Sequence, residues 1–373
     1  MAVNVQRIVI EGYKSIKRVD LGLGALTVLV GANGAGKSNF VDAFELLGRI
    51  VSGDLSLEVG LQGGAQAMLH ASAKTAPDLR IRIEPVDDEL MAAYVVALRP
   101  SANDELIFAR EVVESPRKPR ITLGEGHRES KLARGEVYRD EIVQGWSRTL
   151  GVLFSGCRVY HFQDTSRFAP VKQAGYSSDS ETLHPDAGNL AAFLHRMKEQ
   201  HPVDYRKVLR TIQAVAPYFR DFVLNEETSG RIRLRWQQAG ADAVLPAEAL
   251  SDGTLRFICL TTLLLQPYPP ELLVLDEPEL GLHPFAITVL AEMIRTATAR
   301  SQVIVATQSV TLLDEFELSE LVIAERVEGA TELRRPDPEA LAAWLDDYSL
   351  GDLWLKNLLG GRPTREMKRQ GRE

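Results

Sequence analysis

The eight residues GANGAGKS, Gly31 to Ser38, constrain this chain more than any other feature, because they match G-x-x-x-x-G-K-S without exception. The apolar run Ala25 to Val30 precedes them. Lys37 to Val51 follows, with apolar residues at Phe40, Phe44, Leu47 and Val51, the spacing of one helix face. Strand, glycine turn and helix in that order form the context in which such a segment holds phosphate. The glycines let backbone N–H groups turn toward an anion, and the helix N-terminus adds its positive dipole. In this reading Gly31, Ala32, Asn33, Gly34, Ala35, Gly36, Lys37, Ser38 and Asn39 form a nucleotide-phosphate site. Lys37 reaches the outer phosphates and the Ser38 hydroxyl binds Mg²⁺.

A second segment, ELLVLDEPELGLHP (Glu271 to Pro284), reads as a buried strand that ends in two carboxylates, Asp276 and Glu277. Open α/β sheets bind ligands at the carboxyl ends of their strands. Asp276 there is a candidate Mg²⁺ ligand. Glu277, one residue on, is placed to polarise an attacking water as general base. A third segment, LSDGTLRF (Leu250 to Phe257), offers Ser251 as a helix N-cap and Gly253 for close backbone approach. Alone it would be an ordinary capped helix.

Composition sets outer bounds. With 373 residues the chain is long enough for about two domains or one large domain with an insertion. A net charge of −8 argues against nucleic-acid binding by the whole surface, though not against a local basic stripe. No apolar run reaches the ~18 residues of a membrane span, and the charged N-terminus is not that of a secretory signal. The cysteines, Cys157 and Cys259, lack metal-ligand spacing and sit among apolar neighbours, where they pack as small hydrophobes. A cytoplasmic location is the expectation.

Between the motifs, residues 5–10 read as a strand, and Leu79 to Ile83, Tyr94 to Leu98 and Leu106 to Val113 suggest an antiparallel sheet. Residues 114–150 are rich in charge of both signs, and read as a solvated face or mobile loop, or as a contact for nucleic acid or a partner. Val152 to Phe162 patterns as a buried strand, 185–225 as helical and Arg231 to Trp236 as a strand. From Pro246 onward helix and strand alternate, which implies a parallel sheet with crossover helices. No internal repeat or heptad run is present.

The order GANGAGKS, LSDGT, DEPELGLHP and then Thr307-Gln308-Ser309 resembles ABC-type ATPases, in particular the soluble heads of the RecF, SMC and OLD group; the opening VQRIVIEGYKSI resembles their first strand. The resemblance implies an α/β fold with mixed and parallel sheets, an antiparallel β subdomain, a short helical arm and no coiled coil. It divides the chain into a first half-head (1–175), an arm lobe (176–245), a second half-head (246–345) with signature, Walker B and switch, and a C-terminal helical segment with a basic tail (346–373). It further implies ATP and Mg²⁺ as ligands, and a homodimer sandwiching two ATP molecules, in which Ser251 and Gly253 of one copy close on the ATP held by the other. Glu279, Gly281 and Leu282 would form the loop that crosses the dimer. His283 follows and reads equally as a helix-start residue. Gln308 holds the switch position, where it can hydrogen-bond a γ-phosphate or water but cannot titrate. For the Mg²⁺-contacting glutamine the candidate is Gln163 in YHFQDTS, with Asp164 or an ordinary loop as alternatives.

The chain between Gln163 and Ser251 is too short for the arms of SMC proteins. Val327-Glu328-Gly329 resembles the start of a TOPRIM metal motif, but it reads as a strand ending in a turn, since no D-x-D triplet follows. The tracts YHFQDTSRFAPV, NLAAFLHRM and DYSLGDLWLKNLLGGRP resemble stand-alone bacterial ATPases encoded beside a small TOPRIM-like protein. That resemblance implies a sensor or scaffold controlling a separate nuclease in anti-phage defence. The alternative is a DNA-binding repair ATPase of RecF type. Trp344, Tyr348 and Trp354 read either as interface anchors or as the core of a helix pair.

Overall fold

The computed structural model describes residues 4–70, 78–85, 92–117, 120–133, 140–154 and 159–361. The chain opens with β1 (Val5–Tyr13), β2 (Ile16–Gly22) and β3 (Leu26–Val30), then α1 (Lys37–Ser52), α2 (Leu55–Leu61) and α3 (Ala65–Met68). Next come β4 (Leu79–Pro85), β5 (Ala93–Pro100), β6 (Leu106–Glu114), β7 (Ile121–Gly124), α4 (Glu141–Phe154) and β8 (Val159–Tyr160). They are followed by β9 (Gly175–Tyr176), α5 (Leu190–Gln200), α6 (Pro202–Val215), β10 (Phe219–Phe222), β11 (Arg231–Ile232), β12 (Arg235–Gln238) and β13 (Val244–Pro246). The last part holds α7 (Asp252–Leu265), β14 (Leu272–Asp276), α8 (Pro284–Ala297), β15 (Gln302–Thr307), α9 (Val310–Leu313), β16 (Leu321–Val327), β17 (Ala330–Arg334), α10 (Pro338–Leu345) and α11 (Leu350–Leu355). Among the described residues no helix is long and apolar enough to cross a membrane.

These elements fall into two compact units. The first draws on residues 1–159, 270–274 and 301–373. It contains an antiparallel sheet in the order β2-β1-β4-β5-β6-β7 and a mixed sheet in the order β17-β16-β3-β15-β14-β8. In the mixed sheet β3 runs parallel to both β15 and β16, and the hairpin strand β17 is antiparallel to β16. All five residues of β3 are buried, as expected of a strand covered on both faces. Helix α1 buries Phe40, Phe44, Leu47 and Ile50 in the core they share with Trp146 and Leu150 of α4. Phe40 and Phe44 meet edge to face at 5.3 Å, an arrangement worth ~0.5–1.5 kcal/mol beyond area burial.

The second unit draws on residues 160–269 and 275–300. Helices α5 to α8 lie in it. The stretch expected to be helical ends in β10, which joins β12 and β13 in a three-stranded sheet. Its aromatic residues make a compact core: Phe219 stacks on Trp236 at 5.4 Å, and Phe219 and Phe222 meet at 4.8 Å.

Three local expectations need correction. Val152 to Phe162 is not one strand: α4 runs to Phe154, and only Val159–Tyr160 is extended. Ile142, Trp146, Leu150 and Leu153 share one helical stripe, and Val152 lies off it, 56% exposed. Residues 155–158, with Cys157, lie outside the described residues. Arg231 to Trp236 keeps its in–out alternation, with Ile232, Leu234 and Trp236 buried, yet it splits between two sheets as β11 pairs with β9 and β12 with β10. The charged stretch 114–150 is not simply a solvated face. It supplies β7 and α4, and its residues 127–132 fold onto the fully buried Glu111 carboxylate, which takes hydrogen bonds from Tyr94, Ser130 and the Lys131 N–H. Lys118 and Arg134 to Arg139 of that stretch lie outside the described residues, as does the basic tail from Arg362.

Candidate functional site

The phosphate loop sits in the first unit, between buried β3 and α1. Gly31 lies so close to β16 that a Cβ would stand 2.5 Å from the Ala324 carbonyl oxygen. Gly36 has φ +99°, and its Cβ would fall 1.9 Å from the Thr331 hydroxyl. Both positions therefore demand glycine. Gly36 caps α1 without a side-chain hydrogen bond, and no acidic residue of α1 stands in its first turn, so the helix brings no carboxylate of its own to its positive end. Lys37 is buried and curls across the loop, its Nζ donating to the Gly31 and Ala32 carbonyls at 2.8 and 3.3 Å. Asn33, Gly34 and Ser38 are exposed. Asn39 donates its side-chain amide to Ser15 at 2.6 Å. In the parallel pairing of β15 with β3, Thr307 lies opposite Val30, so Gln308 leaves its strand beside the start of the loop.

The second unit gathers the other predicted residues. Asp276 is buried at the carboxyl end of β14, and Glu277 takes φ +47°, a conformation uncommon for a residue with a side chain. Backbone strain of that kind concentrates at functional sites. Asp276 and Glu277 line a narrow cleft together with Gln163 and Arg256. Asp164, the alternative to Gln163, instead accepts the Ser166 N–H at 2.9 Å, which holds its carboxyl below the usual range and shapes the turn.

Sequence reasoning missed Arg256. Its guanidinium donates three hydrogen bonds to carbonyl oxygens: Phe162 at 3.1 Å, Gln163 at 2.8 Å and Leu280 at 3.0 Å. One side chain thus pins the loops on both sides of the cleft. The available signal was a lone cation in the apolar run Leu255 to Leu265.

Ser251 caps α7 by accepting the Thr254 N–H at 3.2 Å, as its residue type predicts. Its hydroxyl also meets that of Thr254 at 2.8 Å, and Thr254 meets the Tyr218 hydroxyl at 2.8 Å. Gly253 packs so closely on the loop after Glu277 that a Cβ would stand 2.5 Å from the Gly281 carbonyl oxygen. Glu279 in that loop is buried. His283 is the N-cap of α8 and accepts the Phe285 N–H at 3.3 Å. Cys259 is buried, and burial pushes its thiol up to about 12. The C-terminal aromatics divide: Trp354 is buried, while Trp344 is 42% exposed and lies against Tyr348.

The family model described as "AAA domain, putative AbiEii toxin, Type IV TA system" matches residues 26–75 and 160–314, more than half of the chain. The chain belongs to this family. The matched residues take in GANGAGKS, Gln163, the segment LSDGTLRF, Asp276-Glu277 and Gln308, whereas β4 to β7 and the hairpin β16–β17 lie outside them. No curated protein matches by sequence. Among solved structures, an Smc head bound to the C-terminal winged-helix domain of ScpA superposes with TM-score 0.60 at 17% identity, covering 88% of this chain and 96% of that one. The Smc head domain from Pyrococcus furiosus, with an extended coiled coil and bound to the C-terminal domain of ScpA, gives 0.55 at 15%, covering 92% and 99%. An Smc head domain with coiled coil and joint from Pyrococcus yayanosii gives 0.54 at 13%, covering 92% and 99%. The fold is therefore that of the SMC and ABC ATPase heads, and the family is one of P-loop ATPase domains.

The residues fit the ligands this class implies. A glycine turn, a helix start without its own carboxylate and a buried lysine suit a triphosphate. The Ser38 hydroxyl and Asp276 carboxylate are hard oxygen donors of the kind Mg²⁺ takes alongside nucleotide phosphates. Among the described residues no three His, Cys, Asp or Glu side chains gather as a closed metal cage.

Proposed function

We propose that the chain binds and hydrolyses ATP, and that two copies close on two ATP molecules to control a separate effector. In this reading the N–H groups of the loop, with Lys37, hold the phosphates. Ser38, Asp276 and Gln163 would hold Mg²⁺, which when bound offsets phosphate charge. Glu277 takes the proton of the attacking water, and Gln308 orients that water or the γ-phosphate. The observation that carries the dimer is the signature: Ser251 is exposed at the start of α7, while Gly253 presses its backbone against Gly281. A capped, exposed helix start with an absent side chain behind it suits docking onto a partner's phosphate.

The effector reading is supported by the exposed Trp344 of α10, with Leu355 and Leu358 also exposed nearby in the chain, since aromatic anchors of this kind recur at interfaces. The effector proposed is a TOPRIM-like nuclease, in a bacterial two-component system of the anti-phage type. The family's own description as a toxin of a toxin–antitoxin system is in keeping with such an arrangement.

The test is the mass of the purified chain with ATP and Mg²⁺, and of the Glu277→Gln variant captured from its native cell. Glu277→Gln should hold ATP, turn over slowly and accumulate as a dimer. Adding Ser251→Arg should return it to monomer while ATP binding persists. A dimer that survives Ser251→Arg refutes the sandwich. Capture of DNA alone, with no protein, would turn the reading to the RecF type.

A further inference from the structure

The peptide planes of the phosphate loop are held from behind, and several of the holding groups, those of Arg326, Thr331 and Gly361, lie far along the chain. In a trans peptide the C=O and the following N–H point in opposite directions. At Gly31–Ala32 the carbonyl takes Lys37 Nζ at 2.8 Å, and the N–H donates to the Gly361 carbonyl at 3.1 Å. At Gly34–Ala35 the carbonyl takes Arg326 Nη1 at 3.4 Å, and the N–H donates to the Ala32 carbonyl at 3.1 Å. At Ala35–Gly36 the carbonyl takes the Thr331 hydroxyl at 2.9 Å. The Gly36 N–H must then point away from Thr331, toward the face of the loop that α1 begins from.

Thr331 is itself fixed. It is 1% exposed on β17, its N–H donates to the Ser15 carbonyl at 2.8 Å, and its hydroxyl meets that of Ser15 at 2.7 Å. Counting protons gives this network a direction. Asn39 can only donate from its amide nitrogen, and the Ala35 carbonyl can only accept. The order is therefore Asn39 Nδ2 to Ser15 Oγ, Ser15 Oγ to Thr331 Oγ1, and Thr331 Oγ1 to Ala35 O, each hydroxyl accepting one hydrogen bond and donating one. The chain begins on α1, runs through the β1–β2 turn and ends on the loop that opens α1. The Thr331 oxygen also fills the space in which a Cβ of Gly36 would lie.

We infer that Thr331, with Ser15 behind it, is a positioning residue of the nucleotide site: its hydroxyl holds the Ala35–Gly36 peptide so that the Gly36 N–H faces the phosphate. The inference rests on the reading that GANGAGKS binds ATP. Thr331→Val keeps the shape and removes the hydroxyl, and Thr331→Ser keeps the hydroxyl. The measurements are ATP·Mg²⁺ affinity, by titration with a fluorescent ATP analogue, and steady-state hydrolysis. Valine should raise Kd and KM about tenfold, the equivalent of one well-aimed hydrogen bond, and lower kcat less than threefold. Serine should restore Kd to within about twofold of the unaltered chain. A generally loosened fold would instead reduce kcat with the active fraction and would not be rescued by serine. Should the valine variant fail to fold, Ser15→Ala interrupts the same chain one link earlier and should weaken ATP about threefold. Unchanged Kd in the folded variant, or equal loss with valine and serine, overturns the inference. If the unaltered chain binds ATP no better than Lys37→Ala, the underlying reading fails and takes the inference with it. If the unaltered chain and Thr331→Val bind ATP equally well and both outbind Lys37→Ala, the inference alone fails.

Discussion

Arg256→Ala separates what holds the cleft around Asp276 and Glu277 from what holds the proposed phosphate site. The guanidinium makes three hydrogen bonds to carbonyl oxygens, one part-buried and two exposed to water. Each such bond contributes ~0.5–1.5 kcal/mol net, with the exposed pair toward the low end. Their joint loss should cost about 1–3 kcal/mol, lowering Tm by about 1–4 °C for a chain of this size. The larger effect should fall on rate. The three carbonyls belong to the loops that carry Gln163 and follow Glu277, and a shift of about 1 Å in a reacting group can cost ~100-fold. Steady-state ATP hydrolysis should show kcat reduced 10- to 100-fold with KM within about threefold, since Lys37 and the phosphate loop are untouched. Arg256→Lys keeps the charge but not the planar fork, and should recover less than half of the loss in free energy. If kcat stays within twofold while Tm falls as expected, Arg256 is only a structural clamp and the positioning argument is refuted.

Two further outcomes follow from single contacts. Gly253→Ala would bring a methyl within 2.5 Å of the Gly281 carbonyl oxygen, backbone that cannot rotate away. It should abolish ATP-dependent dimerisation of Glu277→Gln, measured by light scattering, while the affinity for ATP stays within threefold. Cys259, raised by burial from 9.0 to about 12, should resist alkylation at pH 8 until the chain is unfolded in denaturant. Because the unfolded thiol ionises first, its contribution to stability is complete below pH 9 and declines as the pH rises toward about 12. Urea unfolding across that range would register the decline, and rapid labelling of the native chain at pH 8 would contradict the burial.

What could be read from the sequence was what local spacing controls. Gly31 and Gly36, the buried run of β14 and the cap at Ser251 each follow from residues within one turn or one strand. The misreadings share a cause. Leu153 and Phe154 look like the start of a strand until α4 claims them, because a short apolar run carries no period of its own. Arg231 to Trp236 alternates as one strand, but alternation reports which face is buried and not which neighbour is paired. Thr331 and Gly361 were invisible for a different reason. Each acts on residues far along the chain, 296 positions away for Thr331 and Ala35, and no local pattern marks a polar side chain that will meet a distant carbonyl.

The strand order of the mixed sheet bears on how the molecule is made. β3 lies between β15 and β16, so the strand that launches the phosphate loop emerges from the ribosome long before either neighbour exists. Non-local pairing of this kind is slow and leaves strand edges exposed in the meantime. The loop's backing at Ala324, Thr331 and Gly361 arrives later still. A nascent chain stalled before β16 would carry the entire GANGAGKS signature and yet lack the wall that shapes it. Nucleotide capture should therefore wait for β16 and β17, and a chain truncated before β16 should compete poorly for ATP with one that carries both strands and Gly361.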